Sequence, residues 1–171
     1  VRAQLKRSNA RDTWRRLVQI LSTEPVDETT SLPKTVDQVL AGTSNRSLFI
    51  IVSDFLVPPD HVREALAKFR HRRHDVALVQ TLDRTELRFD IDDPAPFLGL
   101  EGEPRVVIDP RVVRTSYLDA LTNHCAALEL AARSLGFDYL RVDTHESVGP
   151  PIAALLGRRA SRGRNRKGAS T

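Results

Sequence analysis

The sequence predicts an α/β domain in which a mostly parallel sheet is flanked by helices and carries a short antiparallel meander at one edge. The first observation is a near-continuous apolar run at 48–52, which is typical of a strand buried on both faces. A second apolar run at 75–82 follows after a helix-length segment, and this order predicts a parallel strand, helix, strand crossover. A third run at 137–142 follows the longest amphipathic segment and completes the predicted sheet.

Apolar residues at helical spacing predict five helices around these strands. They cover residues 12–22, 32–42, 59–73 and 110–135, with a short last helix at 152–156. Pro33 lies where the first turn of a helix accepts proline. Gly42 and Gly136 lie at the ends of two of these helices, where glycine is favoured as a cap.

The segment between the second strand and the long helix has a different pattern. Leu87, Phe89 and Ile91 alternate, turn residues follow, and short apolar stretches at 97–98 and 106–108 flank a second turn. This pattern predicts a short antiparallel meander at the edge of the sheet. The charges and prolines within it discourage pairing with another chain.

Charge and composition divide the chain at Gly157. The 171 residues include 26 Lys and Arg and 22 Asp and Glu, and six of the cations lie in the acid-free segment 158–171. We therefore expect one folded domain at 1–157 and a basic disordered tail at 158–171. The tail has no aromatic side chain for base stacking, so nucleic-acid binding through it is the less favoured interpretation.

The start of the chain indicates that the domain is incomplete. The sequence begins at Val1 and contains no methionine. Its first periodic segment is a helix, although an α/β domain usually opens with a strand. We therefore expect the first strand of the fold to lie upstream.

Hydropathy and cysteine content indicate a cytoplasmic protein. No apolar run approaches the ~20 residues that a membrane span needs, and there is no signal-peptide pattern. The single cysteine, Cys125, has no partner for an internal disulfide, which fits a reducing compartment. We expect it to be a small buried side chain on the long helix.

Three carboxylates follow the predicted parallel strands. Asp54, Asp83 and Asp143 each lie where a strand ends, so all three are expected at one edge of the sheet. Two interpretations stay open, namely ordinary strand-end residues or oxygen ligands of a Mg²⁺ site. His124 has no second metal-type ligand three or four residues further on, which favours a structural role. The sequence contains no glycine-rich phosphate loop, Cys and His cluster or G-x-S-x-G nucleophile motif.

Five stretches in a fixed order resemble one protein family. They are SLFIIVSDFL, RHRRHDVALVQTLDRTEL, FLGLEGEPRVVIDP, VRTSYLDAL and LGFDYLRVDTHESV. With the helices that precede, separate and follow these stretches, the resemblance covers roughly 12–156. The combination resembles the C-terminal half of a bacterial family of von Willebrand factor A-like proteins, catalogued as domain of unknown function fifty-eight and associated with MoxR-type AAA+ ATPases.

The resemblance implies a Rossmann-like, von Willebrand A-type three-layer sandwich with a metal-ion-dependent adhesion site. In such a site an Asp-x-Ser-x-Ser loop, a threonine and a later strand-end aspartate hold the cation. Asp54 matches the later aspartate, and Thr30, or less readily Thr29, matches the threonine. The Asp-x-Ser-x-Ser element has no match in this sequence, so we expect Mg²⁺ to bind this chain weakly or not at all.

The resemblance further implies a non-enzymatic protein-interaction module that assists a MoxR-type AAA+ ATPase in the assembly or maturation of a client protein. Arg114 and Tyr117 lie at the start of the long helix, where we expect them to hold the meander against the sheet. One alternative is a magnesium-dependent hydrolase that uses Asp54, Asp83 and Asp143. The other is a nucleic-acid binder that uses the basic tail.

Overall fold

The computed structural model describes residues 5, 12–22, 31–91, 95–97 and 106–168. Their elements follow the order α1 (Asp12–Leu21), α2 (Leu32–Ala41), β1 (Leu48–Ser53), α3 (Pro59–His71), β2 (Asp75–Leu82), α4 (Arg84–Arg88), β3 (Ala95–Phe97), β4 (Val106–Ile108), α5 (Pro110–Ser134), β5 (Asp138–Asp143) and α6 (Gly149–Gly168). The predicted bounds of α1, α2, α3, α5 and the three parallel strands agree with these to within about two residues, as expected for long periodic segments.

The strands β1, β2 and β5 form a parallel sheet with β2 in the middle. Phe49 pairs with Val76 and Ile51 pairs with Leu78, so α3 is the crossover helix of a parallel unit, as predicted. Leu78 pairs in turn with Tyr139 of β5. All three strands therefore end at the same side of the sheet, which we call the carboxyl edge.

Helices pack on both faces of this sheet, which confirms the α/β class, although on the second face α6 reaches only β5 and β2. On one face α2, α3 and α5 pack onto alternate strand residues and bury the main core. Removing apolar surface from water in this way stabilises the fold. The buried members of that core are Val36, Leu40, Phe55, Val62, Ala65, Leu66, Phe69, Val76, Leu78, Leu128, Ala132 and Phe137. The opposite face carries Asp75 and Asp138, which both pair with Arg159 of α6.

The prediction that β1 is buried on both faces is wrong. Phe49 and Ile51 pack against the core, but Leu48, Ile50 and Val52 on the other face are 46%, 59% and 62% exposed. Among the described strands β1 lies at the edge of the sheet, and α6 packs at the far side, against β5. An apolar run shows that a strand is suited to burial, but it does not tell which neighbours cover it.

The predicted strand at 87–91 is also wrong, because a short helix, α4, occupies the start of this segment. A capping box begins the helix: the Asp83 side chain accepts a hydrogen bond from Thr85 N, and Glu86 Oε2 accepts one from Asp83 N. Phe89 ends the helix with φ 48 in the left-handed region. Three alternating apolar residues carry less weight than this local cap.

The predicted hairpin is present, but it does not extend the parallel sheet. Ala95 pairs with Ile108 in an antiparallel ladder between β3 and β4. Within the described residues these two strands form a separate two-stranded sheet. Because α4 follows β2 directly, the chain leaves the parallel sheet before the hairpin begins.

The helix α6 continues through the boundary expected at Gly157. It ends at Gly168, so residues 158–168 are helical where the composition predicted a disordered tail. Arg159 provides a physical reason, because it donates to Asp138 Oδ2 at 2.5 Å and also to Asp75 Oδ2. The carboxylates that anchor the helix lie far away in the sequence, so the composition of the tail does not reveal them.

Three further observations concern the exposure and hydropathy of the helices. The apolar stripe of α1 has the predicted spacing, yet its side chains stay accessible: Trp14 is 69% exposed and Leu21 is 73% exposed. Cys125 is buried on α5, as predicted. None of the helices in the described part of the chain combines the length and apolarity needed to cross a membrane.

Candidate functional site

The turn after β1 presents Asp54 at the carboxyl edge. Ser53 Oγ accepts a hydrogen bond from Phe55 N at 3.1 Å and donates one to Asp54 Oδ1 at 3.2 Å. The same Oδ1 accepts from Leu56 N at 3.3 Å. The Asp54 side chain is exposed, and its Oδ2 accepts no hydrogen bond from any described residue. One carboxylate oxygen is therefore held by the turn, and the other faces solvent.

Buried and half-buried side chains hold the backbone of this turn from the core side. Phe55 is 1% exposed and has φ 54, a left-handed conformation that is uncommon for a bulky residue. Its carbonyl oxygen lies 2.8 Å from His124 Nε2, which therefore carries the proton and donates. Gln80 Nε2 donates to the Asp54 carbonyl at 2.8 Å, and Gln80 Oε1 accepts from the Tyr139 hydroxyl at 2.5 Å. The core thus fixes the turn at two successive carbonyl groups.

Asp83 and Asp143 meet around His145 at the same edge of the sheet. His145 Nδ1 lies 3.5 Å from Asp83 Oδ2 and 3.7 Å from Asp143 Oδ1. Thr144 Oγ1 donates to Asp83 Oδ2 at 3.3 Å. Arg84 Nε lies 3.7 Å from Asp143 Oδ2. Arg84 compensates part of the negative charge of this cluster.

The surroundings of Asp83 hold its pKa below the ordinary value of 3.8. The main cause is the hydrogen bond from the Thr85 backbone amide, at 2.8 Å from Asp83 Oδ1. Desolvation acts in the opposite direction, while His145 and Thr144 lower the pKa further. The ionised Asp83 side chain therefore caps α4 and binds the loop after β5 at once.

The three strand-end carboxylates fall into two groups. Asp83 and Asp143 share His145 as a neighbour. The hydrogen bonds of the Asp54 carboxylate stay within its own turn. The prediction that parallel strands bring these residues to one edge agrees with the strand order, but only two of the three contact the same side chain.

The described residues do not by themselves fit a Mg²⁺ site. Among them no group of three or more His, Cys, Asp or Glu side chains is placed to hold a metal ion. Asp54 Oδ1 is already engaged by Ser53 and by the Leu56 amide. Thr29 and Thr30, the threonines that the resemblance assigns to the cation, lie outside the described residues.

Arg114 and Tyr117 connect α5 to the segment that leads into the hairpin. Arg114 Nε donates to the Phe89 carbonyl at 2.8 Å, and one of its terminal nitrogens donates to the Ile91 carbonyl at 3.3 Å. The Tyr117 ring stacks on Phe89 with 4.5 Å between the ring centroids. Burial raises the pKa of the Tyr117 phenol, so this side chain stays neutral at ordinary pH. Both residues therefore join the start of α5 to the residues that follow α4.

Gln80 is the residue of this region that sequence reasoning missed. It is completely buried and makes hydrogen bonds to both the Asp54 turn and Tyr139. Its position was the available signal, because an amide inside an otherwise apolar strand needs buried hydrogen-bond partners. His145 was missed as well, although it lies only two residues after Asp143.

The family described as Protein of unknown function DUF58 matches residues 5–127, which is more than two thirds of the chain. The chain belongs to the DUF58 family. The DUF58 match includes the Asp54 turn, the cap of α4 and the first part of α5, whereas β5 and α6 follow the matched segment. No curated protein and no solved structure matches the chain.

Proposed function

We propose that this DUF58 chain is a protein-interaction module without enzymatic activity of its own, and that the Asp54 turn is its recognition surface. The observation that carries the proposal is the Asp54 carboxylate, which is exposed while Ser53 and Leu56 hold one of its oxygens. Its other oxygen is available to a partner's arginine, lysine or backbone N–H. Charge-assisted hydrogen bonds of this kind are short and strong.

The contacts beneath the turn support this role. His124 and Gln80 hold the carbonyl groups of Phe55 and Asp54 from the core side. A turn that is already ordered loses little conformational entropy when a partner binds. Its place at the carboxyl edge also supports the proposal, since open parallel sheets bind their ligands there.

The proposed partner is an AAA+ ATPase of the MoxR type, which the module would assist in the assembly or maturation of a client protein in the cytoplasm. This step rests on the resemblance of the five stretches quoted above, and the DUF58 match over residues 5–127 supports the family part of that resemblance. The chemistry of the turn adds one requirement. The surface of the ATPase that meets Asp54 must present a cation or free N–H groups.

Biolayer interferometry tests this proposal. It measures the Kd of the full-length protein for the MoxR-type ATPase encoded in the same genome. We expect Asp54→Ala to raise the Kd at least about tenfold, because a hydrogen bond to a charged group contributes about 1.5–3 kcal/mol. Asp60→Ala is the matched control, since Asp60 is an exposed acid on α3 that pairs with Arg63 of its own helix. An Asp54→Ala variant that binds as tightly as the Asp60→Ala variant would contradict the proposal.

A further inference from the structure

A groove of about 790 Å³ follows the outer edge of β5. The consecutive residues 136–141 line it, and a stripe of α5 that includes Thr122, Ala126 and Glu129 forms one wall. Arg158 of α6 contributes to the lining as well. Since a strand rises about 3.3 Å per residue, residues 136–141 span roughly 17 Å. The groove therefore has the length and course of an extended peptide segment.

The floor of the groove is the free side of an edge strand. Among the described strands β5 pairs only with β2. Thr144 N donates to the Leu82 carbonyl of β2. Because backbone groups alternate in direction along a strand, the N–H and C=O groups of Tyr139 and Arg141 point away from β2 and towards the groove. Such groups form a ready template for another strand.

The groove also carries positive charge that the described residues do not compensate. Its two lining acids, Glu129 and Asp138, are already paired with arginines at 2.6 Å and 2.5 Å. Arg141 and Arg158 are exposed, and neither forms an ion pair or hydrogen bond with another described residue. The electrostatics therefore favour a negatively charged occupant.

We propose that this groove binds an extended acidic segment of a partner protein, which adds to β5 as a further strand. The backbone groups of Tyr139 and Arg141 provide the ladder hydrogen bonds, and the acidic side chains meet Arg141 and Arg158. A second copy of this chain fits the groove less well than an acidic segment, because it would bring its own Arg141 and Arg158 to a groove that is already positively charged. The groove lies along the side of the sheet, so its function is separate from that of the Asp54 turn.

Fluorescence anisotropy with a labelled peptide of valine and paired glutamates, which presents acidic side chains on both faces of an added strand, tests the charge requirement. We expect the full chain to bind this peptide and not its lysine counterpart. Replacing both arginines, as Arg141→Glu with Arg158→Glu, is expected to weaken binding at least about tenfold. Arg63→Glu, which changes an exposed arginine of α3 outside the groove, is expected to leave binding unchanged. No binding of the acidic peptide, or equal binding of the lysine peptide, would overturn the proposal.

Methylated peptides test the strand pairing on the unaltered protein. In an added strand only every second N–H faces β5, so N-methylation of one alternate set abolishes binding and N-methylation of the other set does not. Equal effects of the two sets would overturn strand addition. Asp54→Ala is expected to leave peptide binding unchanged, whereas it weakens ATPase binding under the proposed function. The two proposals can therefore fail independently.

Discussion

At the scale of single residues, Gln80 is the link between the core and the Asp54 turn. Its side-chain amide is completely buried, and both of its ends are engaged, one by the Asp54 carbonyl and one by the Tyr139 hydroxyl. Burial raises the pKa of Tyr139, so its phenol stays protonated and remains a donor. The turn that carries Asp54 is thus positioned by a hydrogen-bonded chain that begins inside the sheet.

Gln80→Leu is expected to lower the free energy of unfolding by about 1–3 kcal/mol. The substitution keeps the apolar bulk but removes the Gln80 hydrogen bonds to the Tyr139 hydroxyl and the Asp54 carbonyl, and loss of a buried hydrogen-bond partner carries that penalty. Thr81→Val on the same strand is the control, with an expected change within about 0.5 kcal/mol. Urea denaturation followed by circular dichroism measures both. Equal stabilities of the two variants would show that the Gln80 hydrogen bonds do not stabilise the fold.

The positions of the candidate residues could be predicted, but their contacts could not. Asp54, Asp83 and Asp143 were located because each follows an apolar run, and parallel strands end at one edge. The grouping of Asp83 with Asp143 depends on His145, which contacts both carboxylates. The spacing of the strand ends in the sequence does not predict the conformation of the loop that carries His145. A sequence pattern gives the order of side chains along each element, whereas side-chain contacts depend on how loops return to the sheet.

At the scale of elements, α4 shows how a local cap prevails over an apolar alternation. Its capping box at Asp83 and Glu86 was readable in the sequence, since the two residues have the spacing that the motif requires. The exposure of β1 was not readable, because an apolar run has the same composition in a central strand and in an edge strand. The sequence therefore predicts local hydrogen bonds such as this cap, but it does not predict which strand faces other elements cover.

The cap of α4 makes stability depend on pH in the acid range. The pKa of Asp83 is lower in the folded state than the ordinary value of 3.8, so ionised Asp83 stabilises the fold above that pH and this contribution is lost as the pH falls through the lower folded value. Asp83→Asn keeps a capping side chain without a charge. We expect the difference in unfolding free energy between the wild type and Asp83→Asn to shrink as the pH falls from 7 to about 3. A difference that stays constant over this range, measured by urea denaturation at several pH values, would contradict the assignment.

Arg159 holds α6 against the sheet, as Asp83 caps α4. Asp138 is only 5% exposed, and Arg159 pairs with it as well as with Asp75. Removing Arg159 takes a charged hydrogen-bond donor away from an almost completely buried carboxylate, which is strongly unfavourable. This pair holds α6 against the sheet at a point just beyond Gly157.

Arg159→Ala is expected to lower the free energy of unfolding by about 2–3 kcal/mol, somewhat less than for a fully buried pair because Asp75 is partly exposed. Arg158→Ala changes the neighbouring exposed arginine, and its effect is expected to stay within about 0.5 kcal/mol. Thermal unfolding at a fixed heating rate compares the two variants. Similar losses of stability in the two variants would indicate that the total charge of the helix matters, and not the ion pairs of Arg159.

At the scale of the whole molecule, the parallel sheet separates three accessible surfaces. The Asp54 turn and the His145 cluster lie at the carboxyl edge, and the arginine-lined groove follows β5. The uncovered apolar face of β1 lies at the opposite side of the sheet from that groove. The fold therefore offers a partner several chemically distinct contacts, and the central claim is that the Asp54 turn is the one that recognises the ATPase.

Hydrogen–deuterium exchange of the full-length protein, with and without the MoxR-type ATPase, tests this claim most directly. We predict that binding slows exchange of the backbone amides at 54–57. The last turn of α3 and the residues after it, 68–73, lie at the opposite edge of the sheet; they serve as the internal control and are expected to stay unchanged. Protection confined to other surfaces, with exchange at 54–57 unaltered, would contradict the assignment of the Asp54 turn as the recognition site.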